Sequence, residues 1–245
     1  MYNLNFGVET EATGLGRHHL CDAFHRLPDI MPISGCTLGF AFRDFPSLPF
    51  HIKADTSVTS PGCEVVTPIL TEGDLHLQRA VLRLMYGFGM RCDKSCGLHV
   101  HVGVPAGVEV DLDLMYANWN RIRGRVWGVF GTYRNRNKEY GSINFDRLLL
   151  GCDRYLALNA TRDPHNTIEF RLFNGGLDFR YQCRAIRFAC GFAGMCFDRH
   201  YIKDDEVDVV SRLMSKANTD SFPAGAGKPD SSTQPGRINE GLVAP

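Results

Sequence analysis

The stretch Cys96-Gly97-Leu98-His99-Val100-His101-Val102 decides how this chain is read. In a β-strand, residues two apart point to the same side. His99 and His101 therefore share one face, across a single valine. Two further segments behave alike. Phe6-Gly7-Val8-Glu9-Thr10-Glu11 pairs Glu9 with Glu11, and Thr167-Ile168-Glu169-Phe170-Arg171-Leu172 pairs Glu169 with Arg171. The polar side of such strands ordinarily carries Thr, Lys or Ser. Three strands that turn Glu, His and Arg outward instead predict one shared concave sheet face, suited to metal and phosphate.

Working outward, residues 4–11 read as the first strand, and a short helix is expected around His19 to Leu27. The 31–50 stretch is rich in Pro, Gly and Phe and reads as loops with one strand. His51 to Ser57 alternates as a strand, with Lys53 and Asp55 on one face. Glu64-Val65-Val66-Thr67 begins another strand, closed by Pro68. Thr71-Glu72-Gly73-Asp74 resembles a capping box, and Leu77, Val81, Leu84, Met85 and Phe88 follow as a helical apolar stripe. Gly97 to Val104 is the histidine strand, 111–130 a second long helix, 166–173 a strand and Phe179 to Phe197 a third helix. A fourth helix is expected over about 204–216.

From Asn218 onward Pro, Gly, Ser, Asp and Thr replace apolar side chains, so 218–245 is expected to be a disordered tail behind a domain of residues 1–217. The fold class predicted is α+β. An open, largely antiparallel sheet would have helices on one face and the chemistry on the other.

The 245 residues carry 27 basic and 27 acidic side chains, so no net field favours nucleic acid or a membrane surface. The N-terminus, Met1-Tyr2-Asn3-Leu4-Asn5, has neither a basic n-region nor an apolar h-region, and no run is long enough to span a bilayer. A cytoplasmic location is the expectation. The nine cysteines are odd in number and irregular in spacing. They read as reduced thiols, several of them small hydrophobes in apolar stretches. Cys92 and Cys96 lie beside His99 and His101, but C-x3-C is a poor match to structural zinc spacing and no second Cys pair accompanies it.

Each candidate site segment has a plainer reading. Glu9 and Glu11 fit a solvated strand face, although like charges at this spacing repel unless a cation compensates them. Glu64 also starts a strand. His99 and His101 could be structural, Glu169 and Arg171 a surface ion pair of small worth, and Arg134 and Arg136 part of a solvated loop. The combination points to a site. Oxygen-rich ligation with one or two imidazoles favours Mg²⁺ or Mn²⁺, and arginine offers paired donors to phosphate. The chemistry inferred is phosphoryl transfer from a nucleotide. The chain has no Walker loop, no kinase-type glycine loop and no G-x-S-x-G elbow.

The order F-G-V-E-x-E, K-x-D-x-S-V, G-C-E-V-V-T-P, C-G-L-H-V-H-V, Y-R-x-R-N and N-T-I-E-F-R-L-F resembles the amidoligase family, from about Asn5 to about Ile202. That family belongs with glutamine synthetase and glutamate–cysteine ligase in the carboxylate–amine ligase superfamily. The resemblance implies a glutamine-synthetase-like sheet that carries Mg²⁺ and ATP, forms an acyl phosphate and passes the acyl group to an amine. It implies Glu9, Glu11, Glu64, Glu169 and His99 as metal ligands, and His101 as a phosphate contact. Arg171 would stabilise the transferring phosphoryl group. Lys53, Asp55, Arg134 and Arg136 would contact nucleotide or substrate, and Asp55 is also a catalytic candidate. The usual D-G-S is Asp55-Thr56-Ser57 here. The partners implied are a small-molecule or peptide carboxylate and an amine donor, with oligomeric state open. The rival readings are a metal-dependent hydrolase and a non-catalytic ligase-fold module.

Overall fold

Alternation in the strands sorts the chain into two layers. The computed structural model describes residues 4–130, 157–161 and 166–207. The strands are β1 (Phe6–Thr13), β2 (Ile30–Ile33), β3 (Cys36–Phe42), β4 (Phe50–Lys53), β5 (Gly62–Val66), β6 (Gly97–Gly103), β7 (Leu158–Thr161) and β8 (Thr167–Asn174). They form one eight-stranded sheet in the order β2-β3-β4-β5-β1-β6-β8-β7. Every named pair is antiparallel. The helices are α1 (Arg17–His25), α2 (Leu75–Gly87), α3 (Leu112–Phe130) and α4 (Phe179–Phe197). The mixed, open antiparallel architecture expected from the sequence is the one observed.

One sheet face is apolar and all four helices cover it. Val8, Val100, Ile168 and Phe170 pack with Trp119 and Ile122 of α3 and with Phe188 and Phe192 of α4. Ala12, Phe40, Ile52 and Val65 pack with Leu20 and Phe24 of α1 and with Val81 and Met85 of α2. Phe24 stacks on Phe40 with ring centroids 4.2 Å apart. Each fully buried side chain of this size contributes about 1.5–3 kcal/mol, so the helix layer holds the sheet and leaves its other face for polar groups.

Three details differ from the sequence reading. The 31–50 stretch contains two paired strands, not one. Small or apolar residues (Gly39, Ala41) alternate with Leu38, Phe40 and Phe42, so β3 lacks the polar contrast that marks a strand. Pro32 is tolerated because β2 is an edge. Second, β4 ends at Lys53, short of Ser57. An oxygen of Asp55 accepts from the Ser57 amide and hydroxyl, both at 2.7 Å, a local turn that competes with the ladder. Third, β7 was not foreseen, because four residues are too few to show a period.

The capping box is present. Asp74 accepts from the Thr71 amide at 2.8 Å and hydroxyl at 2.7 Å, and a single 3-10 turn then leads into α2. Most of the expected helix over 204–216, and the whole 218–245 tail, lie outside the described residues. Among the described residues no helix is long and apolar enough to cross a membrane.

Candidate functional site

The register of the sheet brings together residues far apart in sequence. Lys53 pairs with Glu64, and Glu64 with Glu11, in one row across β4, β5 and β1. His51, Val66, Glu9 and His99 form the next row. Gly7, His101, Glu169 and Asn159 form the third. Glu9, Glu11, Glu64, His99, His101, Glu169 and Lys53 therefore meet on the face opposite the helices. A bulge in β8 lies opposite His99, where the β6–β8 register shifts by one residue. It returns Phe173 to the core while Arg171 stays beside Glu169.

The side chains interlock. His99 Nδ1 lies 3.1 Å from Glu9 Oε2 and its Nε2 3.4 Å from Glu11 Oε1. His101 Nε2 lies 3.6 Å from Glu9 Oε1 and 3.7 Å from Glu169 Oε1. Arg171 Nη1 bonds Glu169 Oε1. Lys53 Nζ stands 4.0 Å from Glu9 and 3.8 Å from Glu64. Backbone helps too, since the Gly97 amide donates to Glu11 Oε2 at 2.5 Å.

Two groups have ligand atoms close enough to share an ion, each within 4.8 Å of one another: Glu9 with His101 and Glu169, and Glu11 with Asp55 and Glu64. His99, only 2% exposed, touches both groups through Glu9 and Glu11. The motif resemblance made His99 a ligand and His101 a phosphate contact, whereas the geometry gathers His101 into the first group. Asp55 reaches the second group from its turn rather than from a strand. Arg134 and Arg136 lie outside the described residues.

The electrostatics are those of a face with excess buried carboxylate. Burial, then the charges of Glu9, Asp55 and Glu11, push Glu64 from its ordinary 4.5 to about 8, and Lys53 offsets only part of this. Burial also works on Glu9, but the close imidazoles of His101 and His99, by contact and by charge, outweigh it and hold that carboxyl below its ordinary value. Asp55 is likewise lowered, its burial outweighed chiefly by the Ser57 hydrogen bonds. His101 is raised: burial opposes this, and the close carboxylate of Glu9 and the charges of Glu169 and Glu9 prevail.

These residues fit divalent cations. The buried His101 Nε2 faces two carboxylate oxygens, of Glu9 at 3.6 Å and of Glu169 at 3.7 Å, beyond ordinary hydrogen-bond length. The donor set, five carboxylates and an imidazole in two adjacent groups, is the kind that hard cations take. A cation in the second group would counter both the burial and the carboxylate repulsion that push Glu64 up.

Several contributors were missed in the sequence. Asn159, from the unforeseen β7, donates to Glu169 Oε2 at 3.4 Å. On the helix side, beneath Glu9 and Glu11, Thr10 joins a buried network. Gln78 Nε2 donates to Gln182 Oε1 at 2.7 Å, and Gln182 Nε2 to Thr10 Oγ1 at 3.2 Å. A glutamine on an otherwise apolar helix face was the available signal. Cys92 and Cys96 join neither ligand group, and Cys92 donates to the Glu11 carbonyl at 3.3 Å. None of the described cysteines forms a disulfide.

Residues 46–113 match a family model described as "Putative amidoligase enzyme". The match covers under a third of the chain, and includes Lys53, Asp55, Glu64, His99 and His101. It agrees with the family read from the motifs. No curated protein matches the chain.

Proposed function

We propose that this chain, a member of the amidoligase family by its residues 46–113, is an ATP- and Mg²⁺-dependent ligase that joins a carboxylate to an amine. The observation that carries the proposal is the pair of ligand groups side by side on one sheet face, with Arg171 held against Glu169.

In this reading the substrate carboxylate attacks the γ-phosphorus of ATP, giving an acyl phosphate and ADP. The amine then displaces phosphate, forms the amide and loses a proton. Bound Mg²⁺ (or Mn²⁺) supplies charge neutralisation for the phosphates. Glu9, Glu169 and His101 hold one cation, and Glu11, Glu64 and Asp55 a second. His99 fixes the angle between Glu9 and Glu11. Arg171, oriented by Glu169, offers paired donors to the moving phosphoryl group, and Lys53, beside Glu9 and Glu64, contacts nucleotide or substrate. Arg134 and Arg136 are proposed as further anion contacts. The sheet is proposed to be glutamine-synthetase-like, the catalytic domain to span 1–217 ahead of a disordered tail, and the location to be cytoplasmic. Partners are a small-molecule or peptide carboxylate and an amine.

The test is release of ADP and phosphate from ATP with pooled amino acids, amines and peptides. Release should require both the pool and Mg²⁺, and should fall at least about 100-fold in Glu169→Ala. Full turnover in that variant would sink the assignment.

A further inference from the structure

A cavity of about 370 Å³ opens beside Glu9 and His101, toward the start of β1. Its volume lies within the range of small-ligand sites, about 300–1,000 Å³. The strand alternation that aims Glu9 and His101 at the site aims two glycines at this cavity, Gly7 on β1 and Gly103 on β6, and both line it. No described residue requires glycine at either position. Among the described residues, a methyl group on Gly7 would meet nothing nearer than His101 Cβ at 4.0 Å, and one on Gly103 nothing nearer than the Asn5 carbonyl at 3.5 Å. Neither residue has a positive φ. Glycine inside a strand weakens it, and commonly marks a close approach by a ligand or another backbone. Here no described residue crowds either glycine from above the sheet.

The walls are largely aliphatic, with the neutral polar side chains of Asn5, Thr67, Asn166 and Thr167 among them. Val66, Pro68 and Ile69 line one side and Val104 the other. Ile69 is 72% exposed, the most exposed of the large hydrophobic residues described. An aliphatic group laid here would cover it. A charged group would lose hydration, and the described lining residues able to carry positive charge, Lys53 and His101, already face Glu9. A purine would want an aromatic face to stack on, and the one ring among those lining residues, Phe6, packs into the helix-side core.

We infer that this trough receives an uncharged, largely aliphatic portion of the carboxylate substrate, and that Gly7 and Gly103 set the width it accepts. The inference rests on the ligase reading, and deepens it to a substrate class.

The test follows the methyl NMR signals of Ile69 and Val104 in the full chain. A non-hydrolysable MgATP analogue is added first, then pooled linear aliphatic carboxylic and amino acids. The signals should stay in place with the nucleotide, move with the acids, and no longer move in Gly7→Leu, whose affinity for the analogue by calorimetry should be unchanged. If Gly7→Leu fails to fold, Gly103→Val and Ile69→Lys make the same comparison. Movement to saturation with the nucleotide alone would assign the trough to the nucleoside and overturn the inference. So would a protein that binds the analogue while no acid moves either signal. A protein that neither binds the analogue nor releases ADP would fail at the ligase reading itself, and the inference would fall with it.

Discussion

Glu64 is where the charge balance of the face can be measured. Its carboxyl titrates at about 8 in place of 4.5, so without metal it holds a proton at neutral pH. A cation bound by Glu11, Asp55 and Glu64 must displace that proton. Mg²⁺ affinity is therefore predicted to rise by up to about tenfold per pH unit as the pH approaches 8, and then to level off. Calorimetry in buffers of different ionisation enthalpy would report the released proton, and Glu64→Gln should abolish the slope. Stability carries the same signature. A carboxyl whose value is raised on folding destabilises the fold as pH climbs from 4.5 toward 8. His101, raised by its partners, gives stability at low pH that is lost as pH rises through its folded value. Glu9 acts oppositely, losing its contribution as pH falls. Metal-free protein is thus predicted to melt lower at pH 8 than at pH 6. Glu64→Gln should recover part of the loss, about 2–4 °C for each kcal/mol. An unchanged melting profile in that variant would show that Glu64 is not the group responsible.

At the scale of elements, β1 carries the site on one face and its support on the other. Thr10, between Glu9 and Glu11, is reached by Gln182 of α4 at 3.2 Å and by Gln78 of α2 at 3.4 Å, so two helices are tied to the strand at the height of both ligand groups. Gln182→Leu leaves Thr10 and Gln78 short of buried partners and should cost about 1–3 kcal/mol, read by denaturant unfolding. Asp178 caps α4 by accepting from the amides of Arg180 and Tyr181. Asp178→Ala should cost about 1 kcal/mol while leaving ATP turnover unchanged, because the cap lies away from the ligand groups. Elements were legible where period and contrast were both strong. β1, β6 and β8 alternate charged with apolar residues, and α2, α3 and α4 keep an apolar stripe. β3 was hidden by having no polar face, β7 by its length, and the end of β4 by the side-chain turn of Asp55.

For the molecule as a whole, the candidate site could be read before the fold because three strands, β1, β6 and β8, each contribute their own pair. Alternation alone says that Glu9 and Glu11, His99 and His101, and Glu169 and Arg171 share sides. Register was not legible. That Glu11 stands opposite Glu64, or His101 opposite Glu169, depends on strand order, which no local pattern encodes. The division into two ligand groups, with His101 gathered into one and His99 between them, is a product of that register. The Gln78–Gln182–Thr10 network offered one local signal, a glutamine on an apolar helix face, but its pairing depends on partners distant in the chain.

The most direct test is to count ions. Mn²⁺ binding, followed by electron paramagnetic resonance with a non-hydrolysable ATP analogue present, should titrate to two ions per chain. Glu11→Gln and Glu169→Gln should each remove one of them. Nucleotide-independent binding of a single ion, or a tightly held zinc with amide cleavage in the absence of ATP, would contradict the two-group site and favour a metal-dependent hydrolase.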